Sequence, residues 1–326
     1  QQTNLLVLVC LWGFWRVLRQ AGGRPQTRLD GLASLAGGAA LALGSVAKPH
    51  YALLGLGALA CFRGAGRAGP GTLQLLGAML GGAALLWLSL VMASGDSWNA
   101  WLTEVLRTTS FTTLPPGHSS IAAPWNRSIA GEVARWLVPN KFTTTLAPSP
   151  AVAGLVTTLL VLTLGAATAS AVLTSMRLRA RRCRAGLATD PIAVDMELSL
   201  LSVWIFLAAP ASWTHHLVML LPAALVLLRG GVLHPRAGLL TRVAAGLVLA
   251  VLALTLDDLL PREVRTDSHA IMGLITVAVL GLWALLLEQL RRHNKHFRLR
   301  SATATDGYPS ARSTQPNRLP PEAPYE

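Results

Sequence analysis

Charged residues are few in this chain of 326 residues. Only 13% are Asp, Glu, Lys or Arg, against about a quarter in an ordinary soluble domain. With 52% of residues hydrophobic, the polar side chains are too few to solvate a globular surface, which excludes an ordinary soluble domain. Carboxylates are the rarer sign, 15 against 28 Lys and Arg, leaving a formal net charge of +13. Aromatics make up 6%, and no aromatic–basic platform of the single-strand-binding type interleaves with the arginines, so nucleic acid is not an expected partner. Cysteine occurs three times, as Cys10, Cys61 and Cys183, with no pairing or metal spacing. Free thiols are expected, and neither a disulfide framework nor a zinc site. A Walker loop, a Rossmann glycine pattern, G-x-S-x-G and zinc-ligand motifs are all missing, so no cofactor and no metal are expected.

What the chain does have is long uncharged runs. Stretches such as 150–175 and 270–287 carry no charge, and charges cluster in short blocks between such runs. This alternation predicts an all-α, polytopic transmembrane helical bundle, because lipid offers backbone groups no hydrogen-bond partner. About nine membrane segments are expected from apolar length and charged flanks, over 3–18, 31–47, 50–62, 72–94, 150–176, 196–210, 213–229, 242–258 and 268–289. The core is thus read as 1–290. A basic segment and then a polar, Pro-rich tail, disordered from Ser301 onward, fill 291–326.

Five basic blocks follow the first, third, fifth, seventh and last segments: Arg16 to Arg28, Arg63 and Arg67, the run "RLRARRCR" at 177–184, Arg229 to Arg242, and "RRHNKHFRLR" at 291–300. If every segment crosses, all five lie on one face, which the positive-inside rule makes cytoplasmic together with the C-terminus. The bacterial plasma membrane is the expected location. The chain opens on "QQTNLLVLVC" without Met or a signal-peptide n-region, and is read as the interior of a longer protein.

The opposite face receives the polar features. Lys48-Pro49-His50 sits between two apolar segments. A lysine there can snorkel, or it can meet an anion such as a lipid phosphate. The long loop 95–149 carries Trp98, Trp101, Trp125 and Trp136. Tryptophans at that depth act as interfacial anchors or stack on sugars. Its parts "DSWNAWLTEVLR" and "SIAGEVARWLV" have helical apolar spacing and are expected along the interface. Within "PWNRSIAGEVARWL", Ser128 is a helix cap and Glu132–Arg135 a surface pair, or Asn126, Arg127 and Arg135 point at a headgroup or sugar. In "ASWTHH", Trp213, His215 and His216 are either interfacial groups bound to water or donors to a phosphate or sugar hydroxyl. Adjacent helical histidines diverge by about 100°, and no partner has ligand spacing for a metal. Asp257-Asp258 is read as a solvated pair. The Gly/Ala-rich runs "LAGGAALALG" and "LLGAMLGGAALL" are read as surfaces of close helix packing.

Four stretches in order, "QQTN" at 1–4, "KPHYALLGL" at 48–56, "NRSIAGEVARW" at 126–136 and "APASWTHHLVMLLP" at 209–222, together resemble the polytopic GT-C glycosyltransferases of family 87. That family includes the mycobacterial mannosyltransferases that elongate phosphatidylinositol mannosides. The last stretch resembles the family's Ser-Pro-x-Ser-Trp-x-His-His and departs at Ala209. The resemblance implies a GT-C bundle of which this chain lacks the front. It implies inverting transfer of a hexose, mannose in the first instance, from a polyprenyl-phosphate sugar donor to a glycolipid acceptor at the outer face of the lipid bilayer. The base, an Asp in the family's first outer loop, would precede Gln1. His215 and His216 would be catalytic; Lys48, His50, Arg127 and Arg135 would hold the donor phosphate; Asn126 and Trp213 would touch substrate. Arabinose transfer and a non-enzymatic transporter or flippase are the competing expectations.

Overall fold

The computed structural model describes residues 2–20, 27–55, 70–106, 109–114, 119–184, 190–235, 237–254 and 269–306. They form ten α-helices: α1 Gln2–Gln20, α2 Arg28–Ala47, α3 Pro70–Met92, α4 Gly95–Ala100, α5 Ile129–Leu137, α6 Pro150–Arg184, α7 Pro191–Ala208, α8 Leu221–Leu227, α9 Leu239–Ala253 and α10 His269–Asp306. Tight 3-10 segments run over Pro49–Gly55 and Thr214–Leu220, and wide π-type turns over Trp101–Leu106 and Leu228–Val232. Among the described residues strand-like pairing amounts to one isolated antiparallel bridge, Asn126 to Trp213.

Among the described residues six helical stretches are long and apolar enough to cross a membrane: Arg28–Val46, Thr72–Met92, Pro150–Arg181, Pro191–Ala208, Thr214–Val232 and Gly273–Phe297. The chain is an all-α, multi-pass membrane bundle. The expected count of nine is not reproduced among the described residues. Helix α1 forms but is not among the six, with Arg16 and Arg19 in its last turns. The expected segment 242–258 is a helix of 15 residues, short of the roughly 20 that a straight span needs. The expected segment 50–62 begins as a 3-10 turn, and its residues 56–62 lie outside the described residues.

Prolines set where the helices stop. Pro49 disfavours helical geometry at the residue before it; Lys48 leaves the helix with φ −145° and ψ 86° and caps α2. Pro210 does the same at the end of α7, where Ala209 is extended. Pro222 has no N–H for the Val218 carbonyl, so the turn before it tightens and the Leu221 N–H bonds Val218 instead. The start signals are equally local. Thr27 and Asp30 form a reciprocal capping box on α2, and Asp190 caps α7 ahead of Pro191.

Helix α7 is the axis, buried among α1, α6, α8 and α10, whereas α3 packs almost wholly on α2 and keeps its outer faces open. The α2–α3 seam is built on glycine. A Cβ at Gly38 would stand 1.8 Å from the Gln74 carbonyl oxygen, and one at Gly77 2.1 Å from that of Leu35. Gly81, one turn beyond Gly77, lies against Ala39. The glycine-rich runs are the close-packing surfaces that their composition predicts.

The bundle has two chemically distinct ends. At one, Asn4 of α1 reaches His215, Lys48 reaches His216, and Thr276 of α10 bonds the Arg127 carbonyl. At the other, Arg19 pairs with Asp195, Arg179 with Glu197 and His293 with Asp190. The arginine run 177–184 is not a loop: it forms the last turns of the 35-residue α6, which at about 1.5 Å per residue outruns a hydrocarbon core of about 30 Å. Helix α10 continues to Asp306, past the point where the tail was expected to begin; 307–326, like Asp257-Asp258 and Cys61, lie outside the described residues. Cys10 is a free, buried thiol.

Candidate functional site

Two proline-broken helix ends face each other at the first end of the bundle. One delivers Lys48 and His50, the other Trp213, Thr214, His215 and His216. The Lys48 Nζ lies 2.8 Å from His216 Nε2. The rings of His215 and His216 stand nearly perpendicular, 80° apart, with centroids 4.4 Å apart. The neighbours therefore divide: His216 turns inward to Lys48, and His215 is exposed. On the other ring nitrogen, His216 Nδ1 accepts the backbone N–H of Trp213 at 3.2 Å. His50 leans against buried Tyr51, ring centroids 4.9 Å apart.

The electrostatics of this cluster are one-signed. Among the described residues no carboxylate pairs with Lys48. Burial pulls the Lys48 ammonium down to about 8. Burial and then the charge of Lys48 pull His50 down to about 4. A cationic group stripped of water with no counter-ion is costly. An anion brought to the cluster would restore the balance, and phosphate, with several acceptor oxygens, fits the Lys and imidazole donors.

A second shell of contacts holds the histidine turn in place. The Asn126 Nδ2 donates to Ile121 O at 2.9 Å and Pro210 O at 3.0 Å. Its Oδ1 accepts from the Ser212 N–H at 2.9 Å and the Ser128 hydroxyl at 3.0 Å. The backbones meet where Arg127 N donates to Ser212 O at 2.7 Å and Thr214 N to Trp125 O at 2.9 Å. Arg127 Nε reaches the Thr214 hydroxyl at 3.2 Å. From α5, Arg135 Nη1 donates to Ala123 O and Asn126 O at 3.1 and 3.0 Å, and Nη2 pairs with Glu132.

Of the expected site residues, Lys48, His50, His215 and His216 come together, with Arg127 and Trp213 beside them. Asn126 and Arg135, expected to point at a headgroup or sugar, are turned into the protein. Both are 0% exposed; the Asn126 amide and the Arg135 Nη1 and Nη2 are engaged by neighbouring backbone and by Glu132, while the buried Arg135 Nε has no hydrogen-bond partner among the described residues. They position the loop. Helix α5 likewise is not laid on the interface: Ile129, Ala130, Gly131, Ala134 and Arg135 are buried. The segment Gly95–Leu106 does form as helical turns, with Trp101 and Leu102 exposed. Two contributors were missed. Asn4, nearly buried, donates to the His215 carbonyl at 3.3 Å; a lone Asn opening an apolar helix was the available signal. Ser212 ties the turn to α7 through Phe206 O at 2.6 Å.

Comparisons with protein-family models, with curated proteins and with solved structures gave no match.

Proposed function

We propose that the chain is an integral membrane glycosyltransferase that moves a hexose, mannose in the first instance, from a polyprenyl-phosphate donor to a glycolipid acceptor. The observation that carries this reading is the Lys48–His216 contact of 2.8 Å, set between His50 and His215 at one end of an apolar bundle. An acceptor hydroxyl oxygen attacks the anomeric carbon and gives its proton to a base, the carboxylate that the resemblance implies, while the bond from that carbon to the phosphate oxygen breaks and the polyprenyl phosphate leaves with the electron pair. Lys48 neutralises that leaving charge and His216 donates a hydrogen bond to it, which meets the largest electrostatic demand of such a transfer. His50 and Arg127 flank the phosphate, and Trp213 and His215 face the sugar. The open apolar flanks of the bundle accommodate a polyprenyl chain that a soluble enzyme would have to extract from the bilayer. The arginine-rich end of α6 supports a cytoplasmic far end, with the site then at the outer face.

A transporter would use ionisable groups along a path through the membrane. Charges are buried in α6 and α7, contrary to the near-absence expected in the spans. They are mutually paired, however, as Arg179–Glu197 and Arg19–Asp195. Glu197 also lies about 16 Å along α7 from its Ala208 end, at the usual helical rise. That spacing favours separate ends over a continuous path.

The test is to incubate membranes containing the full-length protein with radiolabelled polyprenyl-phosphate mannose and to identify the labelled lipid. Transfer should be at least tenfold lower in Lys48→Ala and in His216→Ala. Turnover unchanged in both would remove the site assignment. Transfer only from polyprenyl-phosphate arabinose would replace mannose, and lipid translocation without any sugar transfer would replace the enzyme with a flippase.

A further inference from the structure

Each ring nitrogen of His216 has a fixed neighbour, and together they determine where its proton lies. The Trp213 backbone N–H is always a donor and points at Nδ1 from 3.2 Å, so Nδ1 must present a lone pair. A neutral imidazole has one N–H and one bare nitrogen; with Nδ1 bare, the proton sits on Nε2. Nε2–H then faces the Lys48 Nζ at 2.8 Å. An ammonium has three donors and no acceptor, so a protonated Lys48 would set N–H against N–H. The reverse tautomer would let an ammonium donate to Nε2, but would set Nδ1–H against the Trp213 amide. A doubly protonated ring conflicts at Nδ1 in the same way. One assignment satisfies both contacts: the Nε2–H tautomer donating to the lone pair of an unprotonated amine.

We propose that in mildly alkaline solution Lys48 rests as a neutral amine, selected by the Nε2–H of His216, and is returned to an ammonium there when a phosphate group enters the site. The Trp213 amide is the positioning group, acting through His216. The groups facing Lys48 point the same way. His50 on its own 3-10 segment and His215 and His216 on the opposite one bring no negative charge, and no carboxylate pairs with it among the described residues. The buried position of Lys48 also disfavours the charged form. On arrival of a phosphate, the amine takes up one proton from solvent, swings off Nε2–H and pairs with the anion, and the freed Nε2–H donates to a second phosphate oxygen. The site thereby acquires its positive charge with its ligand. The resting amine stands without the proposed reaction; its coupling to phosphate rests on that reading.

The experiment is reductive methylation of the full-length protein in detergent from pH 6 to 11, with Lys48 followed by mass spectrometry. Its midpoint should fall near pH 8, against about 10.4 for lysine in a flexible peptide. It should rise by at least one pH unit in His216→Ala. It should also rise in Trp213→Pro, whose ring suits the observed φ of −69° and which removes the amide donor. A wild-type midpoint at the peptide value overturns the proposal even if neither variant folds, as does a midpoint that neither folded variant moves. Farnesyl phosphate titrated at pH 8.5 in buffers of different ionisation enthalpy should take up about one proton in the wild type and none in Lys48→Ala. A low midpoint without farnesyl phosphate binding keeps the neutral amine and removes the phosphate reading.

Discussion

Asn126 and Pro210 lie 84 residues apart in sequence and are joined by one hydrogen bond, Asn126 Nδ2 to the Pro210 carbonyl, at 3.0 Å. Through it the loop 119–149 and the histidine turn become one unit. The Pro210 carbonyl is freed by the end of α7, and the same carbonyl also takes the Ser128 hydroxyl, the cap of α5. The loop thus fixes the direction in which the chain leaves α7, and with it the position of His216.

Removing that join should cost stability and activity together. Asn126→Ala leaves the Ile121 carbonyl and the Ser212 N–H without this partner in a buried place, at about 1–3 kcal/mol for each unsatisfied group, while the Pro210 carbonyl keeps the Ser128 hydroxyl. The expected loss is about 3 kcal/mol, read as a lower unfolding midpoint in detergent, with earlier proteolysis inside 119–149. Asn126→Asp should be no better, because it turns a carboxylate oxygen towards carbonyls that need a donor. A midpoint unchanged in both variants would show that the loop is held by other contacts.

The α2–α3 seam makes a sharper prediction, because its geometry leaves no room. At Gly38 and Gly77 the added methyl would meet backbone oxygen at 1.8 and 2.1 Å, distances that no side-chain rotation relieves. Gly38→Ala or Gly77→Ala should push α3 off α2, detected as loss of a disulfide engineered across the seam. Gly82→Ala is the control: nothing lies within 4 Å of its Cβ, and in a helix interior alanine should stabilise by about 0.5–1 kcal/mol. Equal effects at Gly38 and Gly82 would refute the packing account.

At the far end, Arg179 Nε donates to Glu197 Oε1 at 3.0 Å, with side chains 3% and 0% exposed. Breaking such a pair from one side strands a buried charge, at about 3–5 kcal/mol. Arg179→Met alone should therefore unfold the protein at markedly lower temperature, while Arg179→Met with Glu197→Leu should recover most of the loss. A double variant as unstable as the single one would mean that the ions do more than neutralise each other.

Much of this architecture was legible in the sequence, for physical reasons that can be named. Uncharged runs marked the spans because lipid penalises charge, and the basic blocks marked one end of the bundle, where Arg19 and Arg179 stand. Proline before His50 marks the break that ends α2 at Lys48. What the sequence hid depended on distant partners. Nothing local says that Asn126 and Arg135 turn inward, since the same residue types on an exposed helix would face water; the carbonyls left bare by Pro210 and by the turn before α5 draw them in. Nor does the pattern show Asp195 and Glu197 as buried charges, because their neutralising arginines come from α1 and α6.

His50 makes the stability of the outer end depend on pH. Its folded-state value is pulled from 6.5 to about 4, first by burial and then by the charge of Lys48. The unfolded chain therefore binds a proton on His50 between about pH 6.5 and 4 that the folded chain does not. Stability rises with pH wherever the unfolded state holds more protons, so this contribution is complete above pH 6.5 and is lost as the pH falls towards 4. His50→Gln keeps a polar group without the titration. Unfolding midpoints measured from pH 4 to 7 should slope upward less steeply in the variant than in the wild type, with the two curves parallel above pH 6.5. Identical slopes across the acid range would place the proton-sensitive group elsewhere and leave His50 as a packing neighbour of Tyr51.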